Sequence, residues 1–441
     1  MRQEPPRVEV VVRSASGEAP GRVDGKSVAW WRASTREALG LPSGPCVGTG
    51  HQSACWHPGI LAKHLWAADA AAREGGSMLH LVVDQDGFDG MLVEWPARAS
   101  DGMWSVRGHR FAEDGGQTAA CRCPSARPRA ADAGEGAPPE VVEGLARIAA
   151  ALDSHVAAPN AAMQGAAAML ELARPWTGTC TTVAASRILR AGFGRWLLDR
   201  MIADPAACAR AFNAALARAP RAARGLRLAG DRSELPVWLL GPAGERMRAD
   251  AADVRGAIDS GAPVLPRAFP MSAIARTALT DRFVHGLGGG VYEQATDHWM
   301  QAWLGWTPPP HDVVSASLRL DMPIPEGAAA AAMPWRRAWC DPELLQARGA
   351  GPSPARRHLL DRIAALPVGD PGRRRAYRDL IEARNAGRVA RAMELESLRQ
   401  AELVAARARQ SRELAARRTW CFALHPPEAI SRLQAALREA R

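Results

Sequence analysis

The sequence predicts an α/β fold with a parallel sheet, followed by a helical C-terminal segment. Residues 46–87 read as strand, loop, helix and strand, which is the repeating unit of a parallel sheet with right-handed crossovers. Residues 263–306 resume this pattern with an extended run, a helix, a glycine turn and a second helix. From Pro354 onward the pattern is helical to the last residue.

Composition places the chain among ordinary globular proteins. Of its 441 residues, 47% are hydrophobic and 23% are charged, which excludes fibrous, collagen-like and wholly disordered classes. At roughly 100 to 200 residues per domain, this length allows two or three domains. No apolar run approaches the roughly 18 to 20 residues that span a bilayer, and the N-terminus does not read as a signal peptide. The sequence therefore predicts a cytoplasmic protein with no membrane partner.

The net charge of +10 is concentrated near the C-terminus. Residues 351–441 contain 19 arginines against 10 acidic residues, whereas residues 1–350 are nearly neutral. A basic surface can bind nucleic acid by releasing counterions from phosphate. However, arginine and glutamate mix along this segment as on a solvated helix, and aromatic residues are sparse. We therefore favour a small-molecule substrate over nucleic acid as the partner.

The N-terminal elements follow in order. Val8–Val12 is a short apolar run that predicts a strand. Cys46–Thr49 suits a short buried strand, and Gly50–Gly59 is a glycine-containing loop. A helix follows over residues 60–76, ended by two glycines. Residues 77–87 then form a second buried strand that finishes at acidic residues.

The middle of the chain predicts two hairpins and a helical block. Residues 90–97 and 103–111 alternate around an Asp-Gly turn, which favours a hairpin. Alanine-rich segments over residues 141–223 predict a helical insertion. Residues 235–240 begin a second hairpin, and residues 312–323 alternate like a half-buried strand.

One long helix is predicted over residues 373–418. It far exceeds the usual roughly 8 to 20 residues, which indicates a coiled coil or a helical arm that could pair two copies as a homodimer. The predicted organisation thus has four segments: 1–138 as the first half of the α/β core, 139–230 as the helical insertion, 231–333 as the second part of the core with the glycine-rich turn, and 334–441 as the Arg-rich helical arm.

The densest group of chemically functional residues lies on the turn between the first core strand and its helix. It comprises Thr49, Gly50, His51, Gln52, His57, Gly59 and Lys63. Open α/β sheets bind ligands at such turns, and a helix N-terminus attracts anions. His51 and His57 can bind phosphate or transfer a proton, and Lys63 can pair with phosphate. We interpret the group as an anion site with catalytic histidines; the alternative is that these side chains are simply packed or solvated.

Two further candidates lie elsewhere. Asp84 ends the second core strand, where it could orient an amine or a ribose, or could be a plain turn residue. His285, Gly288 and Gly289 belong to a glycine-rich turn before a helix, where backbone N–H groups can approach a phosphate closely. A tight packing turn is the alternative. The order is not GxGxxG, and no GxxxxGK[ST] motif occurs in the chain.

The eight cysteines give weak evidence for a metal. They include no CxxC pair, and no HExxH motif accompanies the histidines, so we expect reduced, packed thiols and no zinc site.

The candidate turn carries a family resemblance. Residues 49–63, TGHQSACWHPGILAK, resemble the TGQQ-type loop of the bacillithiol cysteine ligases, which join cysteine to a glucosaminyl-malate acceptor. Thr49, Gly50 and Gln52 match that loop, and His51 stands where the family has Gln. Residues 267–297 are similar to that family's segment of an Arg-Pro, a helix and a GG-containing turn. Residues 84–88 keep only the first acid and the Phe of the family's Glu-Asp-His-Asp-Phe pattern.

The resemblance implies a Rossmann-like nucleotide-binding core and a coiled-coil dimer. Residues 57–60 are also similar to the HxGH loop of class I nucleotidyl-transferring enzymes, with Ile60 in place of the last His. The implied function is a ligase or nucleotidyl-transfer enzyme that couples a cysteine-like or other amino acid to a small acceptor. ATP or ADP would be its nucleotide, and magnesium could assist. The alternative is a catalytically inactive Rossmann-like protein that binds nucleic acid or an acidic partner through its Arg-rich helices.

Overall fold

The structure is a computed structural model that describes residues 8–14, 20–99, 103–220, 223–322, 333–345 and 352–441. Its strands are β1 (Glu9–Arg13), β2 (Arg22–Val23), β3 (Lys26–Ser27), β4 (Cys46–Gln52), β5 (Ser77–Val83), β6 (Leu92–Arg98), β7 (Trp104–Arg110), β8 (Thr181–Ala184), β9 (Val237–Leu240), β10 (Arg246–Met247), β11 (Val264–Pro266), β12 (Arg282–His285) and β13 (His311–Ser317). Its helices are α1 (Val28–Leu39), α2 (Pro58–Arg73), α3 (Pro139–Ser154), α4 (Ala161–Thr177), α5 (Gly192–Ala203), α6 (Pro205–Leu216), α7 (Ala251–Asp259), α8 (Ala268–Ile274), α9 (Leu287–Leu304), α10 (Trp335–Cys340), α11 (Pro354–Ala365), α12 (Pro371–Ala390), α13 (Ala392–Ala416) and α14 (Pro427–Glu439).

A six-stranded, mostly parallel sheet forms the centre of the fold, which confirms the predicted α/β class. Its strand order is β1-β13-β12-β4-β5-β8, and only β1 runs antiparallel, against β13. From β4 the chain adds β5 and β8 on one side, and later β12 and β13 on the other. The strand order therefore reverses between β4 and β12.

The sequence explains why β4 and α2 form as they do. The first four residues of β4 are buried, as expected for a strand covered on both faces. Pro58 occupies the first turn of α2, where its missing N–H costs no hydrogen bond. Gly75 follows the helix with a φ of +63°, which glycine adopts without strain. The predicted strand, helix and strand over residues 46–87 are confirmed.

Two strands of the central sheet were not predicted. β8 lies inside the block predicted as a helical insertion, so that block contributes a strand to the core as well as α3 to α6. β12 lies between α8 and the glycine-rich turn, where the sequence predicted only helix and turn. Both strands have four residues, and such short runs carry little periodic signal.

The smaller sheets match the predicted hairpins. β6 and β7 form one two-stranded sheet, and the turn residues 100–102 lie outside the described residues. β9 pairs with β10 as predicted, and β11 adds a third, antiparallel strand. The predicted strand over 312–323 ends at Ser317, and residues from 323 onward lie outside the described part until 333.

The predicted 46-residue helix is wrong, because α12 and α13 are interrupted at Arg391. The backbone there leaves the helical region, at φ −119° and ψ 24°, although the Arg391 N–H still makes the helical bond to Gly387 O. Glycine in the last turn of α12 lowers helix propensity at this point.

The described residues group into two compact units. The first contains those within Met1–Ala99, Val106–Leu320 and Arg417–Arg441; the second contains those within Ser100–Ser105 and Asp321–Ala416. The predicted segment 334–441 therefore contributes to both units. None of the helices in the described part combines the length and apolar character needed to cross a bilayer.

The first unit has a core rich in aromatic side chains. Phe212 packs against Phe269 with ring centroids 4.5 Å apart, and Trp31 packs against Phe193 at 5.5 Å. These residues belong to one buried cluster that joins the sheet to α1, α5, α6 and α8.

Candidate functional site

A cavity of about 600 Å³ lies at the carboxyl ends of β4, β5 and β12. This volume is within the roughly 300 to 1,000 Å³ typical of small-molecule sites. The cavity adjoins the point between β4 and β12 where the strand order reverses, which is where open α/β sheets bind ligands. All of its lining residues belong to the first unit.

The cavity brings together most of the residues that the sequence singled out. Nine of them line it: Gly50, His51, Gln52, His57, Gly59, Lys63, His285, Gly288 and Gly289. They come from two distant stretches of the chain, around β4–α2 and around β12–α9. The sheet topology therefore joins the two candidate motifs into one site.

Thr49 and Asp84 are not among the lining residues. Thr49 is fully buried, and its Oγ1 donates to Val284 O at 2.8 Å, which ties β4 to β12. Asp84 accepts hydrogen bonds from the Ser186 backbone N–H at 2.8 Å and the Ser186 hydroxyl at 2.5 Å. Burial raises the pKa of Asp84. The side chains of both residues therefore bond to neighbouring parts of the protein and do not face the cavity.

Lys63 is the central cation of the cavity. It lies on the second turn of α2, is 5% exposed, and donates from Nζ to Gly50 O at 2.7 Å. Among the described residues, no carboxylate forms an ion pair with it. Burial lowers the pKa of Lys63 from 10.5 to about 7, because the charged form loses its hydration. An anion in the cavity would supply the missing counter-charge.

The N-terminus of α9 faces the same cavity. Gly286 is its N-cap and provides no side-chain cap, and the first N–H group with a bond inside the helix is that of Gly290, to Gly286 O at 2.9 Å. The N–H groups of Leu287, Gly288 and Gly289 have no acceptor among the described residues. A Cβ placed on Gly286 would lie 3.5 Å from Lys63 Cδ, so Lys63 contacts this helix start. The positive end of the helix and the lysine thus reinforce each other.

Glycine is required at only some positions of this turn. A Cβ on Gly289 would lie 2.6 Å from His285 Nδ1, so the absence of a side chain there leaves room for the imidazole ring. At Gly288 a Cβ would meet nothing within 4 Å. A side chain at Gly288 would therefore fit the protein but enter the open space of the cavity.

His51 and His57 present opposite hydrogen-bonding groups. His57 Nδ1 accepts from the Gly59 N–H at 3.0 Å, so its ring proton is on Nε2, which is a donor. His51 Nδ1 lies 3.0 Å from Gln52 O, which can only accept, so the His51 proton is on Nδ1 and Nε2 is an acceptor. Burial lowers the pKa of His57 to about 4, aided by the charges of Arg418 and Lys63. Burial and Lys63 lower the pKa of His51 to about 3.

The backbone N–H groups at the start of α2 are already bonded. The Gly59 N–H is held by His57 Nδ1, and those of Ile60 and Leu61 donate to His57 O at 2.9 and 3.1 Å. The donors that α2 offers to the cavity are therefore His57 Nε2 and Lys63 Nζ. The backbone donors come from α9.

His285 belongs to a buried charged cluster. Its Nε2 lies 3.0 Å from Glu293 Oε1, and Glu293 also pairs with Arg276. Arg276 in turn donates to Asp297 at 2.7 Å. Burial alone would raise the pKa of Glu293, but His285 and Arg276 lower it well below its ordinary value. The Glu293 carboxylate therefore stays charged and lies beside the His285 ring near the N-terminus of α9.

The end of β5 contributes a residue that the sequence analysis missed. Side chains alternate along a strand, so Leu81, Val83 and Gln85 line the cavity, whereas Asp84 points to the other face. Gln85 is 3% exposed, and its Oε1 has no hydrogen-bond partner among the described residues. Its Nε2 lies 3.2 Å from Met271 Sδ. The alternation of β5 was the signal that could have selected Gln85.

Asp86, in the turn after β5, lines the cavity but is already engaged. It accepts from Arg246 at 2.7 Å and from the Gln52 amide at 3.1 Å. Arg246 follows the β9–β10 turn and was not predicted as a site residue. Asp86 therefore links β4 to the small sheet.

The far wall is cationic. The Arg267 guanidinium lies 3.5 Å from the Trp238 ring centroid and pairs with Glu234. Arg418 comes from the C-terminal segment, defined as Arg417–Arg441, and lies 3.5 Å from Ser317 Oγ. Only the tertiary structure brings this residue to the strand ends. The lining has five Lys or Arg side chains against two carboxylates, Asp86 and Glu293, so it favours an anion.

Within the described part of the chain, no group of three or more His, Cys, Asp or Glu side chains is arranged to hold a metal ion. Comparison of the chain with protein-family models and with curated proteins gave no match.

Proposed function

We propose that the cavity binds a nucleotide through its phosphates, and that the protein is an enzyme of the ligase or nucleotidyl-transfer type. It would couple a cysteine-like or other amino acid to a small acceptor, as the resemblance of residues 49–63 implies. The nucleotide would be ATP or ADP.

One observation carries the proposal: a buried lysine contacts a helix N-terminus, and among the described residues the lysine has no carboxylate partner and the first N–H groups of the helix have no acceptor. Lys63 and the N–H groups of Gly288 and Gly289 are the donors that a phosphate accepts. Desolvating a cation without an opposite charge is costly, and a bound phosphate would offset that cost.

The strand order supports the same proposal. In chain order, the five parallel strands β4, β5, β8, β12 and β13 are arranged 3-2-1-4-5. That order is typical of the Rossmann-like sheets that bind dinucleotides at the reversal point. We therefore propose a Rossmann-like core, with the phosphate site moved from the first crossover helix to α9.

The cavity also offers acceptors for a second substrate. His51 Nε2 and Gln85 Oε1 have no protein donor among the described residues. An ammonium or hydroxyl group would satisfy them, because both atoms can only accept. A cavity with phosphate donors and separate acceptors fits a reaction that joins an activated carboxylate or phosphate to an amine.

The residues would divide the chemistry as follows. Lys63 and the α9 N–H groups would hold the phosphates and stabilise the charge that develops on the leaving group. His57 would donate from Nε2 to a non-bridging oxygen. His51 Nε2 would accept a hydrogen bond from the attacking amine and orient it; the amine bonds to the acyl or phosphoryl centre as phosphate departs, and the proton that the amine releases leaves on that phosphate. The low pKa of His51 keeps its ring neutral, so Nε2 remains a hydrogen-bond acceptor at neutral pH.

Magnesium would be held mainly by the nucleotide. The two lining carboxylates, Asp86 and Glu293, are both engaged by arginines. An ion at this site would therefore rely on phosphate oxygens and water, as magnesium commonly does.

A thermal-shift panel of ATP, ADP, CTP and cysteine, with and without magnesium, tests the proposal. A ligand at about 100 times its dissociation constant stabilises the native state by about 2.7 kcal/mol. We expect a nucleotide-specific shift in the wild type that is lost in His57→Ala. His358→Ala is the matched control, because His358 is exposed on α11 outside the cavity. No nucleotide shift, or an equal shift in His57→Ala, would overturn the proposal.

The alternative function rests on the arginines of the second unit. Several of them are already paired locally: Arg391 with Glu394 at 3.0 Å, and Arg356 with Glu343 at 3.6 Å. Such pairs are typical of solvated helices, so this unit offers less evidence for an anionic partner than the cavity does.

A further inference from the structure

Two cysteines from distant parts of the chain meet beside the cavity. The Cys55 and Cys421 side chains interact with each other, and the Cys55 Sγ donates to Met91 O at 3.7 Å. The backbone confirms the proximity, because the Phe422 N–H donates to Trp56 O at 2.7 Å. Cys421 is buried and Cys55 is half-buried, so a small reagent would reach Cys55 first.

Both cysteines lie on segments that carry cavity residues. Cys55 is in the loop between His51 and His57, and Cys421 follows Arg418 by three residues. The C-terminal segment is held to the rest of the first unit by non-covalent contacts such as Arg417 with Glu94. A bond between the two thiols would connect the loop between His51 and His57 covalently to this segment.

We propose that Cys55 and Cys421 form a reversible disulfide, a redox modification site at the edge of the cavity. The native fold places the two segments side by side through the Phe422–Trp56 backbone bond, and a disulfide between them needs a Cα separation of roughly 4.4 to 6.8 Å. The proposal does not depend on what the cavity binds.

A small-molecule disulfide such as oxidised glutathione is the oxidant. The Cys55 thiolate attacks one of its sulfurs, forms a mixed disulfide and releases one glutathione thiolate. The Cys421 thiolate then attacks the Cys55 sulfur and releases the second glutathione. The two protein thiols lose two electrons and two protons, and one molecule of oxidant becomes two thiols.

The surroundings set the rate of this reaction. The neighbouring Cys421 thiol, with burial, raises the pKa of Cys55 well above its ordinary value. Only the thiolate attacks a disulfide, so oxidation should accelerate as the pH rises above neutral.

The experiment uses the full-length chain in a Cys340→Ser background, because Cys340 is exposed and could join two chains. After incubation with oxidised glutathione, remaining thiols are alkylated and the chain is analysed by mass spectrometry. We expect two thiols to be lost, no glutathione to remain bound, and dithiothreitol to restore both thiols. Peptide mapping should join the fragments that contain Cys55 and Cys421.

Cys55→Ser is the matched variant, because serine keeps the size of the side chain. In that variant the Cys421 thiol should stay alkylatable, and no joined peptide containing Cys421 should form. The proposal is overturned if both thiols persist in the parent chain, or if the lost thiols map to Cys121 and Cys123. Because the readout is a thiol count without nucleotide, its failure leaves the proposed function untouched, and failure of nucleotide binding leaves the disulfide untouched.

Discussion

The ionisation of Lys63 should be coupled both to folding and to anion binding. Burial lowers its pKa from 10.5 to about 7, while the unfolded chain keeps the ordinary value. Between these values the unfolded state binds more protons than the folded state, so the free energy of unfolding rises with pH across this window. The lysine therefore destabilises the empty protein at neutral pH.

The magnitude follows from the two pKa values. At pH 7 the penalty is about 4 kcal/mol, and at pH 9 it falls to about 2 kcal/mol, since each pKa unit is worth about 1.4 kcal/mol. Lys63→Met removes the titrating group, so its free energy of unfolding should be higher at pH 7 and should lack about 2 kcal/mol of the rise between pH 7 and pH 9. Denaturant unfolding at both pH values measures this difference.

Anion binding should reverse the pKa shift. At pH 8 the empty site is only about one-tenth protonated, because the pH is one unit above the pKa of Lys63. A bound phosphate favours the ammonium form, so binding should take up nearly one proton. Isothermal titration of ATP in buffers of different ionisation enthalpy measures that uptake directly.

The chain offers an unusual control, because Lys26 and Lys63 are its only lysines. Lys26 lies 3.7 Å from the Trp30 ring centroid and does not line the cavity. After reductive methylation with ¹³C, NMR should show one lysine signal with a midpoint near pH 7, absent in Lys63→Met and present in Lys26→Met. A Lys63 signal with a midpoint near pH 10, or ATP binding without proton uptake at pH 8, would refute the reasoning.

Three other outcomes are expected. Gly288→Leu should weaken ATP binding at least about tenfold, equivalent to about 1.4 kcal/mol, because the leucine side chain would enter the cavity. Gly256→Leu is the control and should leave ATP binding unchanged, because a side chain at Gly256 also meets no protein atom but lies outside the cavity. If α12 and α13 pair two copies, the wild type should sediment as a dimer. The double variant Val389→Glu, Met393→Glu should sediment as a monomer, because these side chains are 79% and 87% exposed in the single chain and would be buried by pairing. A wild type that sediments as a monomer would contradict the pairing. Any DNA binding by the arginine-rich helices should weaken steeply between low salt and about 0.15 M, and affinity that ignores salt would contradict a phosphate-driven contact.

The sequence predicted the parts of the fold that have strong local patterns. β4, α2 and β5 form a continuous strand, helix and strand unit with clear caps, so their positions followed from residue order. β8 and β12 were not predicted, because a strand of four residues has too little hydrophobic periodicity to be distinguished from the helices beside it. Yet β12 pairs with β4 and so places His285 beside it. A strand that the sequence pattern does not reveal is therefore needed to bring the site residues together.

The sequence predicted which motifs form the candidate site. It did not predict which side chains next to those motifs face the cavity. Asp84 and Gln85 are adjacent at the end of β5, and the sequence favoured the acid because of its chemistry. Because side chains alternate along the strand, Gln85 faces the cavity and Asp84 faces Ser186. Arg418 could not have been predicted, because no local pattern indicates that the C-terminal segment returns to the first unit.

The proposed phosphate donors come from two helices, each of which follows a different strand of the sheet. Double variants can therefore test whether both helices bind the same phosphate. Lys63 follows β4, whereas Gly288 follows β12, and the neighbouring position of these two strands brings α2 and α9 together. If both groups hold one phosphate, then Lys63→Met and Gly288→Leu remove the same interaction, and the double variant should lose less ATP affinity than the two single losses combined. Costs that simply add would mean that the lysine and the helix N-terminus act on different groups, and that the cavity contains two anion sites rather than one.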